Sequence, residues 1–224
     1  VVVVLSAENL ESITSEGRRL VAAVRRDPAR PVPQYPGWTL TDLASHTGSV
    51  HARTVLVCRE RPRERVSAPR LPDGEDAADW LETNLEEMVA ALRTSDPSTP
   101  VWAFGKGEPT IGFWERRMVI ETGVHRWDAS DAFDEADGLT AHVARAGLDE
   151  FAGMWLSRLG GVPTLEILAT DLGESWRYGT GEPADRVEGT ASDLYLRLMA
   201  RRSPVELPAA WAAAVEGLPP PGKP

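Results

Sequence analysis

The chain has one cysteine, Cys58, among 224 residues. That excludes an internal disulfide and any cluster of thiolate ligands, so a bound metal would have to be held by His, Asp or Glu. Histidine is scarce as well, with His46, His51, His125 and His142 as the whole set. Long apolar runs are missing. Val1-Val2-Val3-Val4-Leu5 is too short for a transmembrane helix or a signal-peptide core, and no cationic segment precedes it. The chain opens without Met, which points to processing or to a cut boundary. Positive charge is also short: the formal net charge is −10. The basic stretch Arg59–Arg65 is broken by acids, and Arg201-Arg202 is small. Sequence-independent binding to a nucleic acid needs more clustered Lys and Arg than this. The expectation is a cytoplasmic protein with no nucleic-acid and no membrane partner.

Apolar residues make up 42% of the chain, which is enough to build a real core at this length. Leu10, Ile13, Leu20 and Val24 recur at helical spacing, predicting a first helix over about 6–26. Pro28, Pro31, Pro33, Pro36 and Gly37 then break structure. A second helix is predicted from Thr39 or Thr41 to about Glu60, a third over 76–93, a fourth over 110–133 and a fifth over 140–159. After Gly160-Gly161 the character changes. Residues 164–170, 175–178 and 185–188 read as strands, 190–202 and 208–216 as helices, and 219–224 as a disordered tail. The chain is therefore expected to be α+β, with an all-helical domain over 1–159 and a small α/β domain over 160–224.

The fourth helix carries an anomaly. On a helical wheel Trp114, Met118, Glu121, His125 and Ala132 fall within roughly 60° of one another. Phe113, Ile120, Val124 and Trp127 extend that apolar face, while Glu115, Thr122, Arg126 and Ser130 form the opposite, polar side. A carboxylate inside an apolar face needs a partner or a metal ion. The i, i+4 spacing puts Glu121 and His125 one turn apart, where they can share an ion. On the second helix His46 lies beside the Leu43–Val50–Thr54–Val57 stripe, whereas His51 points roughly 140° away from it. His46 is thus the better third ligand. Two His and one Glu with an open fourth position is a catalytic zinc arrangement. Asp42, one turn earlier, is placed to orient the His46 ring.

The bland readings weigh against this. A lone His on an apolar face is more often a satisfied core residue than a ligand. A Glu-x-x-x-His pair on a helix is usually a solvated side-chain pair. Cys58 and the tryptophans at 114, 127, 155 and 176 read as packing residues, and His142 as surface. Gly105-Lys106-Gly107 lacks the strand–loop–helix context of a phosphate cradle.

Three segments carry a family resemblance. Pro36-Gly37-Trp38-Thr39, with Asp42-Leu43 and His46, resembles a Pro-Gly-Trp-Thr-x-x-Asp-Leu-x-x-His motif. Glu121 to Ala129 resembles Glu-x-x-x-His-Arg-Trp-Asp-Ala, and Gly189 to Leu194 resembles a Gly-x-x-x-Asp-Leu turn. Together, in this order, they resemble the mycothiol-dependent maleylpyruvate isomerase type within the DinB-like metal-binding bundles. The resemblance covers nearly the whole chain. It implies a DinB-like four-helix bundle, a small C-terminal unit similar to sterol carrier proteins, and zinc or another divalent ion held by His46, Glu121 and His125. It also implies mycothiol, a low-molecular-weight thiol, as cosubstrate for a small-molecule substrate.

A metal-bound thiol is deprotonated at neutral pH. In an isomerase of this type the thiol adds to an activated C=C bond, the resulting single bond rotates, and the thiol leaves. In a transferase the thiol attacks an electrophilic carbon and stays attached. Arg53 is the candidate catalytic side chain beyond the metal ligands, placed to meet an anionic substrate; its bland reading is an exposed or salt-bridged arginine. The resemblance implies that a C-terminal arginine assists, and Arg177, Arg197, Arg201 and Arg202 are the choices. Two other functions remain open: a hydrolase using zinc-bound water, and a non-catalytic metal-binding or stress-response protein.

Overall fold

The computed structural model of the chain describes residues 7–105 and 109–218. The valine run, Lys106 and the proline-rich tail, each the subject of an expectation above, lie outside the described residues. The chain divides into two compact units, one ending at Asp137 and the other starting at Gly138.

The first unit packs four helices: α1 (Ala7–Arg26), α2 (Leu40–Glu60), α3 (Ala77–Arg93) and α4 (Ile111–Asp131). Their ends follow local chemistry. The Thr39 hydroxyl accepts from the Asp42 backbone N–H, and the Asp42 carboxylate accepts from the Thr39 backbone N–H at 2.9 Å, a reciprocal box that starts α2. Asp42, expected to orient His46, is thus given a capping role. The Asp76 carboxylate accepts from the backbone N–H groups of Ala78 and Asp79 and starts α3. Helices α2 and α3 approach closely at Gly48, where an added Cβ would lie 2.4 Å from the Trp80 ring.

Helix α4 is buried on nearly every side. The polar side expected for it is not a solvent face, because Glu115, Thr122 and Arg126 are all buried. These groups have partners instead. Asn9 donates to Glu115 at 3.0 Å. The Arg126 guanidinium pairs with Glu16 of α1 and with Asp137 at 2.6 Å. A wheel cannot distinguish a polar face turned to water from one turned to polar neighbours. In α4 the ion pair with Glu16 ties the helix to α1.

The second unit holds α5 (Ala141–Met154), a 3-10 turn (Leu156–Arg158), β1 (Leu165–Ala169), β2 (Glu174–Tyr178), β3 (Asp185–Gly189), α6 (Ala191–Leu198) and α7 (Ala209–Glu216). The sheet order is β2-β1-β3, with β1 antiparallel to β2 and parallel to β3. The division at 137/138 falls earlier than the expected boundary at 159, because α5 packs into this unit rather than the bundle. The Tyr178 hydroxyl donates to the Leu148 carbonyl at 2.8 Å, and Phe151 packs against Tyr178 and Trp211. Gly147 of α5 lets the Tyr195 ring of α6 approach to where a Cβ would meet it at 2.4 Å. A helical pattern alone could not say which unit α5 faces.

Candidate metal centre

His46, Glu121 and His125 come together in the bundle, each offering one ligand atom, with all three atoms within 4.8 Å of one another. Glu121 Oε1 lies 3.3 Å from His46 Nε2 and 3.2 Å from His125 Nε2. Charge-assisted N–H···O bonds usually close to about 2.7–2.9 Å. These longer separations are also close to the edge of a tetrahedron with zinc-like bonds, about 3.3 Å for bonds of roughly 2.0 Å. The donor set and its spacing are compatible with one divalent ion. His46 keeps 20% of its side-chain exposure, against 6% for His125 and 9% for Glu121, so the open side of the centre is beside His46.

Supporting groups hold each ligand. Asp128, fully buried, lies 3.0 Å from His125 Nδ1, which leaves Nε2 directed at Glu121. Arg117 donates to Glu121 Oε2 at 2.6 Å, so one carboxylate oxygen is engaged and Oε1 faces the two imidazoles. Burial alone would raise the Glu121 carboxyl, but Arg117 and His125 outweigh it and hold it well below the usual carboxylate range. Burial would lower His125, but Glu121 and Asp128 push it up to about 9. The Trp38 ring packs 5.5 Å from the His46 ring, and Tyr35 packs 6.0 Å from His125. Trp38 of the Pro-Gly-Trp-Thr segment and Tyr35 just before it thus form the wall against which the two imidazoles rest.

Two further side chains of α2 bear on the centre. His51 points away from His46 but is fully buried, 3.0 Å from the hydroxyl of Thr122, the neighbour of Glu121. Burial pushes it down to about 3, so it is a neutral packing partner of α4. Arg53 is neither exposed nor salt-bridged among the described residues. Its guanidinium sits 5.3 Å from the Trp114 ring centroid, 5.7 Å from Phe104 and 6.0 Å from Trp102. Arg117 and Asp128 fall toward the buried face of the wheel, where they read as a pair for each other; what sequence reasoning did not give is that each is a direct partner of a candidate ligand, Arg117 of Glu121 and Asp128 of His125, one turn away on the same helix. Of the C-terminal arginines, Arg197 pairs with Glu216 at 2.8 Å, and Arg201 donates to the Met199 carbonyl at 2.9 Å.

Fold and site define a four-helix bundle with a candidate metal centre, followed in the chain by a small α/β unit. The mycothiol maleylpyruvate isomerase N-terminal domain matches residues 10–130, more than half of the chain, and the chain belongs to that family. The matched span includes all three candidate ligands. Two solved structures share the fold: a mycothiol-dependent maleylpyruvate isomerase, with a TM-score of 0.64, and a histidine-to-alanine mutant of such an enzyme, with a TM-score of 0.67. Each is 15% identical, over 90% of this chain and 94% of the other. No curated protein matches the chain in sequence. Among the described residues no helix is long and apolar enough to cross a membrane.

Proposed function

We propose that this chain is a metal- and mycothiol-dependent enzyme, with His46, Glu121 and His125 as the ligands of one zinc or similar divalent ion. The observation that carries the reading is the ligand cluster, buried except at His46, with each nitrogen about one tetrahedral edge from Glu121 Oε1. When bound, the ion supplies a lowered thiol pKa, and so a nucleophile at neutral pH. The chain's own residues do the rest. Asp128 fixes the His125 ring, Arg117 turns the Glu121 carboxylate, and Trp38 holds the His46 ring in place. The exposed edge of His46 leaves one side open to the thiol and its electrophile. Cis–trans isomerisation of an activated alkene and thiol transfer to a small electrophile share this site and its first step. Family membership favours isomerisation, since the family carries the isomerase's name.

Calorimetric titration of mycothiol into the metal-loaded chain tests the reading. Binding that disappears in the metal-free chain is expected. Absence of binding to the metal-loaded chain would remove the thiol from the account, and turnover with water alone would favour a hydrolase.

A further inference from the structure

The bundle holds one more charged group whose chemistry the metal centre does not absorb. Arg53 lies on α2 two turns beyond His46, and its Nε is buried without a hydrogen-bond partner among the described residues. A buried guanidinium N–H left unmade is costly, more so for a charged group. Three aromatic rings surround this cation, Trp102, Phe104 and Trp114, with centroids at 5.3–6.0 Å. Ring faces stabilise a guanidinium but offer it no oxygen acceptor. The hydrogen-bonding capacity of its Nε is therefore unmet among the described residues.

The surrounding charges say which ligand. The charges that weigh most on Arg53 are those of Glu121, an acid, and of Arg117 and Arg65, two bases. Glu121 is already bound to Arg117 at 2.6 Å. Across the centre the two carboxylates, Glu121 and Asp128, are already matched by the two guanidiniums, Arg117 and Arg53, and Arg65 adds positive charge nearby. A divalent ion would make the site more positive still. Such a site attracts an anion, and a planar guanidinium fork matches a carboxylate through two parallel hydrogen bonds.

We propose that Arg53, framed by Trp102, Phe104 and Trp114, is the subsite that binds a carboxylate of the substrate and so sets its selectivity for anionic electrophiles. The inference rests on the metal-centre reading for the position of the reacting atoms, but the anion subsite can be tested apart from the thiol. Arg53 aligns the electrophile while the ligand cluster serves the nucleophile, so the two functions of the site are divided between α2 beyond His46 and the ligand triad.

The test titrates the maleate dianion and its neutral dimethyl ester into the chain, by calorimetry and by tryptophan fluorescence. Trp102 and Trp114 lie against the guanidinium, so its occupation is expected to change the emission. The wild-type chain is expected to bind the dianion at least ten times more tightly than the ester. Arg53→Met is expected to lower dianion affinity ten- to a hundredfold while metal content and mycothiol binding stay as in the wild type. Arg53→Lys, which keeps the charge but not the fork, is expected to fall between them. The Arg53-dependent difference should persist without metal, which separates it from coordination of maleate to the ion. Wild-type dianion affinity in Arg53→Met would overturn the proposal. So would equal affinities for dianion and ester in the wild-type chain, a comparison that holds even if the methionine variant does not fold. Loss of mycothiol binding with an intact Arg53 effect would instead refute the thiol reading alone.

Discussion

Replacing Asp128 with Asn probes how the centre is held rather than which atoms hold it. The Asp128 carboxylate is fully buried and 3.0 Å from His125 Nδ1. Asn keeps the size and an acceptor oxygen but removes the negative charge that strengthens the imidazole as a donor to metal. Partners of this kind change metal affinity about 10–100-fold. At about 1.4 kcal/mol per decade, that is roughly 1.4–2.8 kcal/mol. Competition with a chelator of known affinity, monitored together with far-ultraviolet circular dichroism, measures the loss on folded protein. A dissociation constant within twofold of wild type, in a variant whose fold is intact, would show that Asp128 does not orient a ligand.

Three further outcomes follow from the packing. Gly48→Ala places a methyl group 2.4 Å from the Trp80 ring, and overpacking of this kind is expected to cost about 1–3 kcal/mol in urea unfolding; an unchanged midpoint would mean that α2 and α3 have slack. Arg126→Met leaves the buried Glu16 carboxylate, among the described residues, with Arg19 as its remaining ion-pair partner, at 3.9 Å, and is expected to cost about 3–5 kcal/mol. Adding Glu16→Gln should recover part of that loss, and strict additivity of the two changes would contradict direct pairing. The last concerns pH. His51 is held at about 3, chiefly by burial, with Glu121 opposing and His125 and His46 reinforcing the shift. The unfolded chain therefore binds a proton that the folded chain refuses between roughly pH 6.5 and 3, so stability falls as pH drops through that window, by at most about 1.4 kcal/mol per unit. Comparison of wild type with His51→Gln isolates this contribution. Equal pH slopes below 6 would refute it.

Much of the fold was legible because its signals are local. The capping residues Thr39, Asp76 and Thr140 mark helix starts, and the short β-branched run before Ala169 marks a strand. What failed depended on partners distant in sequence. Arg126 looks solvent-facing on a wheel, yet its partner Glu16 lies 110 residues away. The membership of α5 depends on Tyr178 and Tyr195, which no helical period reveals. The clustering of His46, Glu121 and His125 was legible for a different reason. A carboxylate and an imidazole within an apolar face violate the usual pattern, and such violations concentrate at functional sites. Arg117 and Asp128 also fall toward the buried face on the wheel, but that they engage Glu121 and His125 emerges only once side chains meet.

The central claim is that His46, Glu121 and His125 hold one divalent ion. Elemental analysis of purified chain after zinc loading and removal of free metal tests it most directly. One zinc per chain is expected in the wild type, falling well below that in His46→Ala and in His125→Ala with the helical signal retained. Zinc content unchanged in both variants, or none bound by the wild-type chain, would contradict it.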